Sequence, residues 1–509
     1  MSEVTYQHYS IQDFQGNPLI EALPPLLSTR EIVRKLIERP EYDPKNRQAP
    51  QAERLMLTQK VTQFYQPSSR DVELFQMIDR SLRWGYVWRN PLDPSYRLRF
   101  GKGLAQKKEG AYYTPYVPTT GGFALLGVSG LGKTSSIRKI LSLFPQVVFH
   151  RCYEGTHFQE TQVVWVHMDC PKDGSLKGLC SAFFAEVDRA CGTTFASQYA
   201  GGKRTTLDDM MQGMVKAAAS IHLGIVILDE VQNLCVSRTS DNIPLKTLNF
   251  VVTMINTINV PVVMVGTPRA LSFFQKEFQQ AKRASSQGAA LWERMEEDQE
   301  WDMFVRAMWS YQYTSNKVSL TKKLSHMLYE ESVGIPFLAV QIYKLVQEKA
   351  IAFDAETFQG EDFRLIATRK MGLTKPMAES IKSGREINLK SFLDLTPFTS
   401  EDYARLYPSA ASSAEPPKPA DKGTIQQKAT ATLLGMGLIA RDARHYVDLV
   451  LARHPDCKSD AIIAREAYAE HLKKEIASEK EDPGKKDKEN SSNVAEGYEN
   501  NISNGTIGL

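Results

Sequence analysis

The chain has 509 residues, 42% of them apolar and 24% charged, which excludes wholesale disorder, a collagen-like repeat and a disulfide scaffold. Its 62 Lys and Arg against 59 Asp and Glu leave a net charge of +3, so any basic surface for a polyanion has to be local. The 6 cysteines include no C-x-x-C pair, which fits a reducing compartment better than a disulfide framework.

In chain order, Met1 runs into the polar stretch Ser2 to Gln7, without the basic start and apolar run of a targeting segment. Residues 1–115 are rich in Pro, Arg and aromatic residues, with helical patterns at Thr29 to Ile37 and Asp71 to Arg83. Within them Arg83-Trp84-Gly85-Tyr86-Val87-Trp88-Arg89 interleaves cations with rings. That composition serves either base stacking or packing against the next domain.

From about residue 120 short apolar runs alternate with amphipathic stretches, the signature of a parallel α/β sheet with flanking helices. Strands are expected at Phe123 to Leu126, Val163 to Val166, Ile225 to Leu228 and Val262 to Val265, and helices at 177–190, 207–222 and 244–258. This core spans 116–315. A helical lid follows at 316–400, with an apolar face through Leu324, Leu328, Val340, Ile342 and Leu345. Residues 401–423 read as a Pro/Ala/Ser linker and 424–474 as C-terminal helices. The tail 475–509 is too poor in apolar residues to fold. The most apolar window, Val251 to Val265, is broken by Thr253, Asn256, Thr257, Asn259 and Pro261. It falls short of the ~20 apolar residues of a membrane span, so a soluble cytoplasmic protein without a membrane partner is expected.

The chemistry is concentrated in Gly127-Val128-Ser129-Gly130-Leu131-Gly132-Lys133-Thr134-Ser135, a G-x-x-x-x-G-K-T run between an expected strand and helix. Its glycines let the backbone wrap phosphates and aim N–H groups at them. Lys133 reaches the β- and γ-phosphates of ATP, and the Thr134 hydroxyl binds Mg2+. Ile225-Val226-Ile227-Leu228-Asp229-Glu230 supplies the matching element. There Asp229 holds the metal, and Glu230 is placed to polarise the attacking water. P-loop proteins that only bind nucleotide often lack that glutamate, so ATP hydrolysis is expected.

The run Gly122 to Gly127 into the Lys-Thr motif resembles the AAA+ transposition regulators of the TnsC/TniB family from target-selecting bacterial transposons. So do Asp169-Cys170-Pro171-Lys172-Asp173-Gly174-Ser175-Leu176-Lys177-Gly178, Leu228 to Leu234, Trp292-Glu293-Arg294-Met295 and Leu328 to Pro336. The resemblance runs from about residue 25 to about 385. It implies an AAA+ P-loop ATPase core with a helical lid, an N-terminal helical region and a C-terminal extension. It places Thr267 as the polar residue that senses the γ-phosphate, and Arg283, with Arg294 and Arg269 as alternatives, as the arginine reaching a neighbouring subunit's site. It further implies a homo-oligomer, ring or filament, that assembles on double-stranded DNA with little sequence preference. That assembly would answer to a target-selector protein and recruit and activate transposase subunits, in a bacterial cytoplasm. The resemblance departs at the lid, where Gly334 is followed by Ile335-Pro336-Phe337 instead of the arginine many AAA+ lids carry.

Lys172, Lys177, Lys203 and Arg204 are the candidate DNA contacts. A polymer needs only one or two cations per subunit, because the charge repeats along the duplex. His150, Cys152, His157, His167 and Cys170 crowd within 21 residues but match no common zinc spacing. Two rival readings of the same ATP site are a helicase or replication loader, and a scaffold whose ATP turnover is incidental.

Overall fold

The structure, a computed structural model, describes residues 4–96, 121–202, 204–235, 260–270 and 289–371, together with 440–453 and a few isolated neighbours. The expected stretch 244–258, the linker 401–423 and the tail lie outside the described residues. Cα packing divides the chain into two units, Met1–Pro408 and Ser409–Leu509.

In the first unit, strands β1 (Phe123–Gly127), β4 (Trp165–Asp169), β5 (Ile225–Asp229), β6 (Val262–Gly266) and β7 (Ala289–Trp292) form one sheet. Its order is β4-β5-β6-β1-β7, parallel throughout. The continuous apolar runs are explained by cover on both faces, and period-two alternation sorts them. Ala124, Leu126, Val226, Leu228, Val262 and Met264 face one core with the helices Leu176–Cys191 and Leu207–Ser220. Phe123, Leu125, Ile225, Ile227, Val263 and Val265 face the other.

That second face is covered by the helix Lys133–Leu141 and by the N-terminal region itself, through the helix Ser69–Val87. Of the two uses expected for the interleaved stretch, packing against the core is the one its residues take. Leu74, Phe75, Ile78, Leu82 and Tyr86 pack in the same core as β1. The interleaved cations serve packing. Arg83 donates to Asp79 (2.8 Å), to the Tyr9 hydroxyl (2.7 Å) and to Pro24 O (2.6 Å). Arg89 donates to the carbonyls of Gly85, Leu223 and Gly224, and the Tyr86 hydroxyl to His222 O.

Two departures have local causes. The run Val163 to Val166 is divided between β3 (Thr156–Val163) and β4, because β3 pairs antiparallel with β2 (Val147–Tyr153) in a hairpin of its own. The lid core also begins before residue 316. Met295 and the helix Gln299–Trp309 share one cluster with the helices Lys322–Ser332, Pro336–Ala352 and Gly360–Arg369. Trp301, Tyr313, Tyr343 and Phe363 are its largest fully buried side chains. Val61 and Phe64 from the N-terminal region complete it.

In the second unit, the helix Ala440–Arg453 buries Ala443, Tyr446, Val447 and Val450 with Leu433, Ile463 and Ala467. Among the described residues no helix is long and apolar enough to cross a membrane.

Candidate functional site

The C-terminal ends of β1, β5 and β6 open into a cavity of about 570 Å³, the place where open parallel sheets bind ligands. After β1 the loop turns through left-handed glycines, Gly130 at φ +86° and Gly132 at φ +90°, a conformation that costs other residues energy. A Cβ on Gly127 would come within 2.5 Å of Trp292 O, so only glycine fits between β1 and β7. No side chain caps the start of the helix Lys133–Leu141, which leaves its first-turn N–H groups for an anion.

Lys133 is 8% exposed, and its Nζ donates to Gly127 O at 2.7 Å and Val128 O at 2.9 Å. The Thr134 hydroxyl donates to Asp229 Oδ2 at 2.8 Å. Asp229 Oδ1 accepts the Glu230 backbone N–H at 2.8 Å, and its Oδ2 lies 3.4 Å from His167 Nε2. Burial works to raise the Asp229 pKa, but the hydrogen bonds from His167, Thr134 and the Glu230 amide prevail and hold the carboxyl below its ordinary value. Burial, then the adjacent Asp229 charge, pushes Glu230 up. Glu230 also sits at φ +56°, strained for a residue with a Cβ. Thr267, directly after β6, is 7% exposed.

The expected ATP-site residues thus come together: Ser129, Gly130, Leu131, Gly132, Lys133, Thr134, Ser135, Asp229, Glu230 and Thr267 all line the one cavity. Arg283 and Lys203 lie outside the described residues. Arg294 is exposed just after β7, and Arg269 is half-buried next to Thr267. Of the DNA candidates, Lys172, Lys177 and Arg204 are all exposed. Lys177 Nζ donates to Thr205 O at 2.9 Å, which sets it beside the loop carrying Arg204.

Three contributors escaped the sequence reading, and a fourth, His167, entered it only as part of the zinc set. His167 and Asp169 come near Asp229, with their ligand atoms all within 4.8 Å of one another. The pairing of β4 with β5, Asp169 opposite Asp229, was their available signal. Gln232 joins Glu230 to Thr267. The N-terminal segment supplies a wall: the Tyr65 hydroxyl donates to Asp71 and sits 2.7 Å from Ser136 Oγ, while the Arg70 guanidinium lies 5.2 Å over the Trp292 ring. The zinc set does not assemble. His150 is engaged by Tyr6 and Gln162, and burial pulls its pKa down to about 4.

Hard oxygen donors at a helix start and a strand end are what magnesium takes. Uncapped N–H groups with a lysine over them suit a phosphate chain. The residues present therefore fit a magnesium nucleotide.

Residues 119–274 match a family model described as an AAA domain. With the parallel five-stranded sheet and its flanking helices, the fold is that of an AAA+ P-loop ATPase. Among solved structures, the chain is similar to a Walker-type ATPase of Pyrococcus abyssi, at 13% identity and a TM-score of 0.35, over 57% of this chain and 83% of that one. It is also similar to the ORC2 protein of Aeropyrum pernix in ADPNP–ADP complexes, at 15% identity and a TM-score of 0.34, over 69% and 79%. No curated protein matches.

Proposed function

We propose that this chain is an ATP-hydrolysing regulator of DNA transposition: it assembles on double-stranded DNA in its ATP-bound state and there recruits and activates a transposase. The observation that carries the ATPase part is the convergence of Lys133, Thr134, Asp229, Glu230 and Thr267 on one cavity at the sheet's C-terminal edge. Lys133, held at rest on two loop carbonyls, is free to exchange them for phosphate oxygens. Thr134 and Asp229 would hold the magnesium ion, which when bound offsets phosphate charge. Glu230, raised by burial and Asp229, accepts a proton from water more readily than a solvated carboxylate. Thr267, just after β6, lines the same cavity, where its hydroxyl would contact the terminal phosphate.

DNA binding is supported by three exposed cations, Lys172 and Lys177 around the start of the helix Leu176–Cys191 and Arg204 on the loop that Lys177 reaches, which offer phosphate contacts that carry no direct sequence information. The transposase, the target selector and the homo-oligomer rest on the resemblance of the motifs around residues 122–134, 169–178 and 328–336. The test of the site is Lys133→Ala. It removes the motif's cation and should abolish ATP binding in isothermal titration; unchanged affinity would overturn the assignment.

A further inference from the structure

We propose that Gln232 is a positioning residue that ties the Glu230 carboxylate to the backbone of Thr267, so that the end of β6 sets where the base points. The inference rests on the ATPase reading above and adds to it a residue that the nucleotide motifs do not include.

The geometry is a two-bond bridge. Gln232 Oε1 accepts the Thr267 N–H at 3.1 Å, and Gln232 Nε2 donates to Glu230 Oε2. A backbone N–H can only donate, so the amide oxygen must face Thr267 and the amide nitrogen must face Glu230. The bridge is also built into its surroundings. Gln232 is 8% exposed, on a 3-10 turn (Val231–Cys235) whose Val231 and Leu234 are buried. Asn233 fastens that turn to the end of β4 through Nδ2 to Cys170 O at 3.0 Å. A Cβ on Gly266 would fall 2.9 Å from Gln232 Oε1 and 2.8 Å from Val231 Cγ2, so glycine at this strand end is what lets the amide reach Thr267. At the other end, Glu230 keeps a left-handed φ of +56°. Such strain persists where surrounding contacts over-determine it, and the Gln232 amide and Asp229 Oδ1 are contacts that do so. Thr267 and Glu230 both line the cavity. A displacement of the β6 end is therefore passed to the base through two hydrogen bonds.

The test uses the full-length chain with Gln232→Met, which keeps the volume and removes both bonds. Gln232→Glu is the second variant; it keeps an oxygen for Thr267 but has no N–H for Glu230. Affinity for a non-hydrolysable ATP analogue, which also reports folding, should stay within about twofold of wild type. Single-turnover hydrolysis should fall roughly tenfold to a hundredfold, the scale of a misplaced catalytic group. In a Glu230→Gln background, adding Gln232→Met should leave the residual rate unchanged, because both changes act through one group. Wild-type turnover in both variants, or an equal loss with and without Glu230, would overturn the positioning role alone. A wild-type chain with no turnover would overturn the ATPase reading and this inference with it.

Discussion

Arg54 and Glu356, 302 residues apart, meet as a fork, with Nη1 to Oε2 and Nη2 to Oε1 both at 2.6 Å. The pair joins the N-terminal helix Gln51–Leu57 to the segment after the lid helix Pro336–Ala352. Arg47 adds bonds to Thr314 O and Ser315 O. The N-terminal chain therefore holds the lid with residues 47–64 and covers the sheet with residues 69–87, and the strap between them walls the nucleotide cavity.

Hydrogen bonds from Arg54 hold Glu356 down to about 2. A depressed carboxyl stabilises the fold fully above its unfolded value of about 4.3 and loses that contribution as pH falls through about 2. Glu356→Gln should cost roughly 1–3 kcal/mol at neutral pH. Thermal unfolding of both proteins from pH 7 towards pH 2 should show the difference narrowing with acid. A difference independent of pH would mean the charge of Glu356 is not what holds the lid.

His167 orients Asp229 from outside the expected motifs. Removing a group that orients a metal ligand typically costs about ten- to a hundredfold in metal affinity or activity. His167→Ala should accordingly raise the Mg2+ concentration for half-maximal turnover by about tenfold. An unchanged Mg2+ requirement would show that Thr134 and the Glu230 amide orient Asp229 without it.

Glu230→Gln should keep ATP bound while slowing hydrolysis by about a hundredfold or more, since an amide cannot accept the water's proton. If hydrolysis drives release, this variant should stay on DNA longer than wild type after an ATP chase. Equal release rates would argue against coupling between turnover and disassembly.

The nucleotide site was legible because its chemistry needs contiguous residues: Gly127 to Thr134 wraps one phosphate chain, and Ile225 to Glu230 is one strand and its end. The parallel sheet was legible for a related reason, since strands covered on both faces must be apolar throughout. What escaped depends on partners far along the chain. No local pattern announces that Tyr65 will reach Ser136 or that Arg54 will find Glu356. The β2–β3 hairpin was hidden by its mixed residues, as Phe149, Arg151 and His157 are exposed while His150 and Phe158 are buried. β7 is only 4 residues long, too short for periodicity to register.

The second unit has a small apolar core of its own. Truncation after Pro408 should leave ATP hydrolysis and DNA binding largely intact and reduce transposase recruitment in a pull-down. Loss of ATPase activity on truncation would mean that the C-terminal helices complete the nucleotide-binding unit and are not a docking extension.

The most direct measurement is fluorescence anisotropy of unrelated duplexes titrated with the full-length chain, with and without a non-hydrolysable ATP analogue, across a salt series. The account predicts binding only with the analogue, similar affinity for every duplex, and an affinity that falls steeply as salt rises. Lys133→Ala should not bind under any of these conditions. Binding that ignores nucleotide, or a strong preference for one sequence by this protein alone, would contradict it.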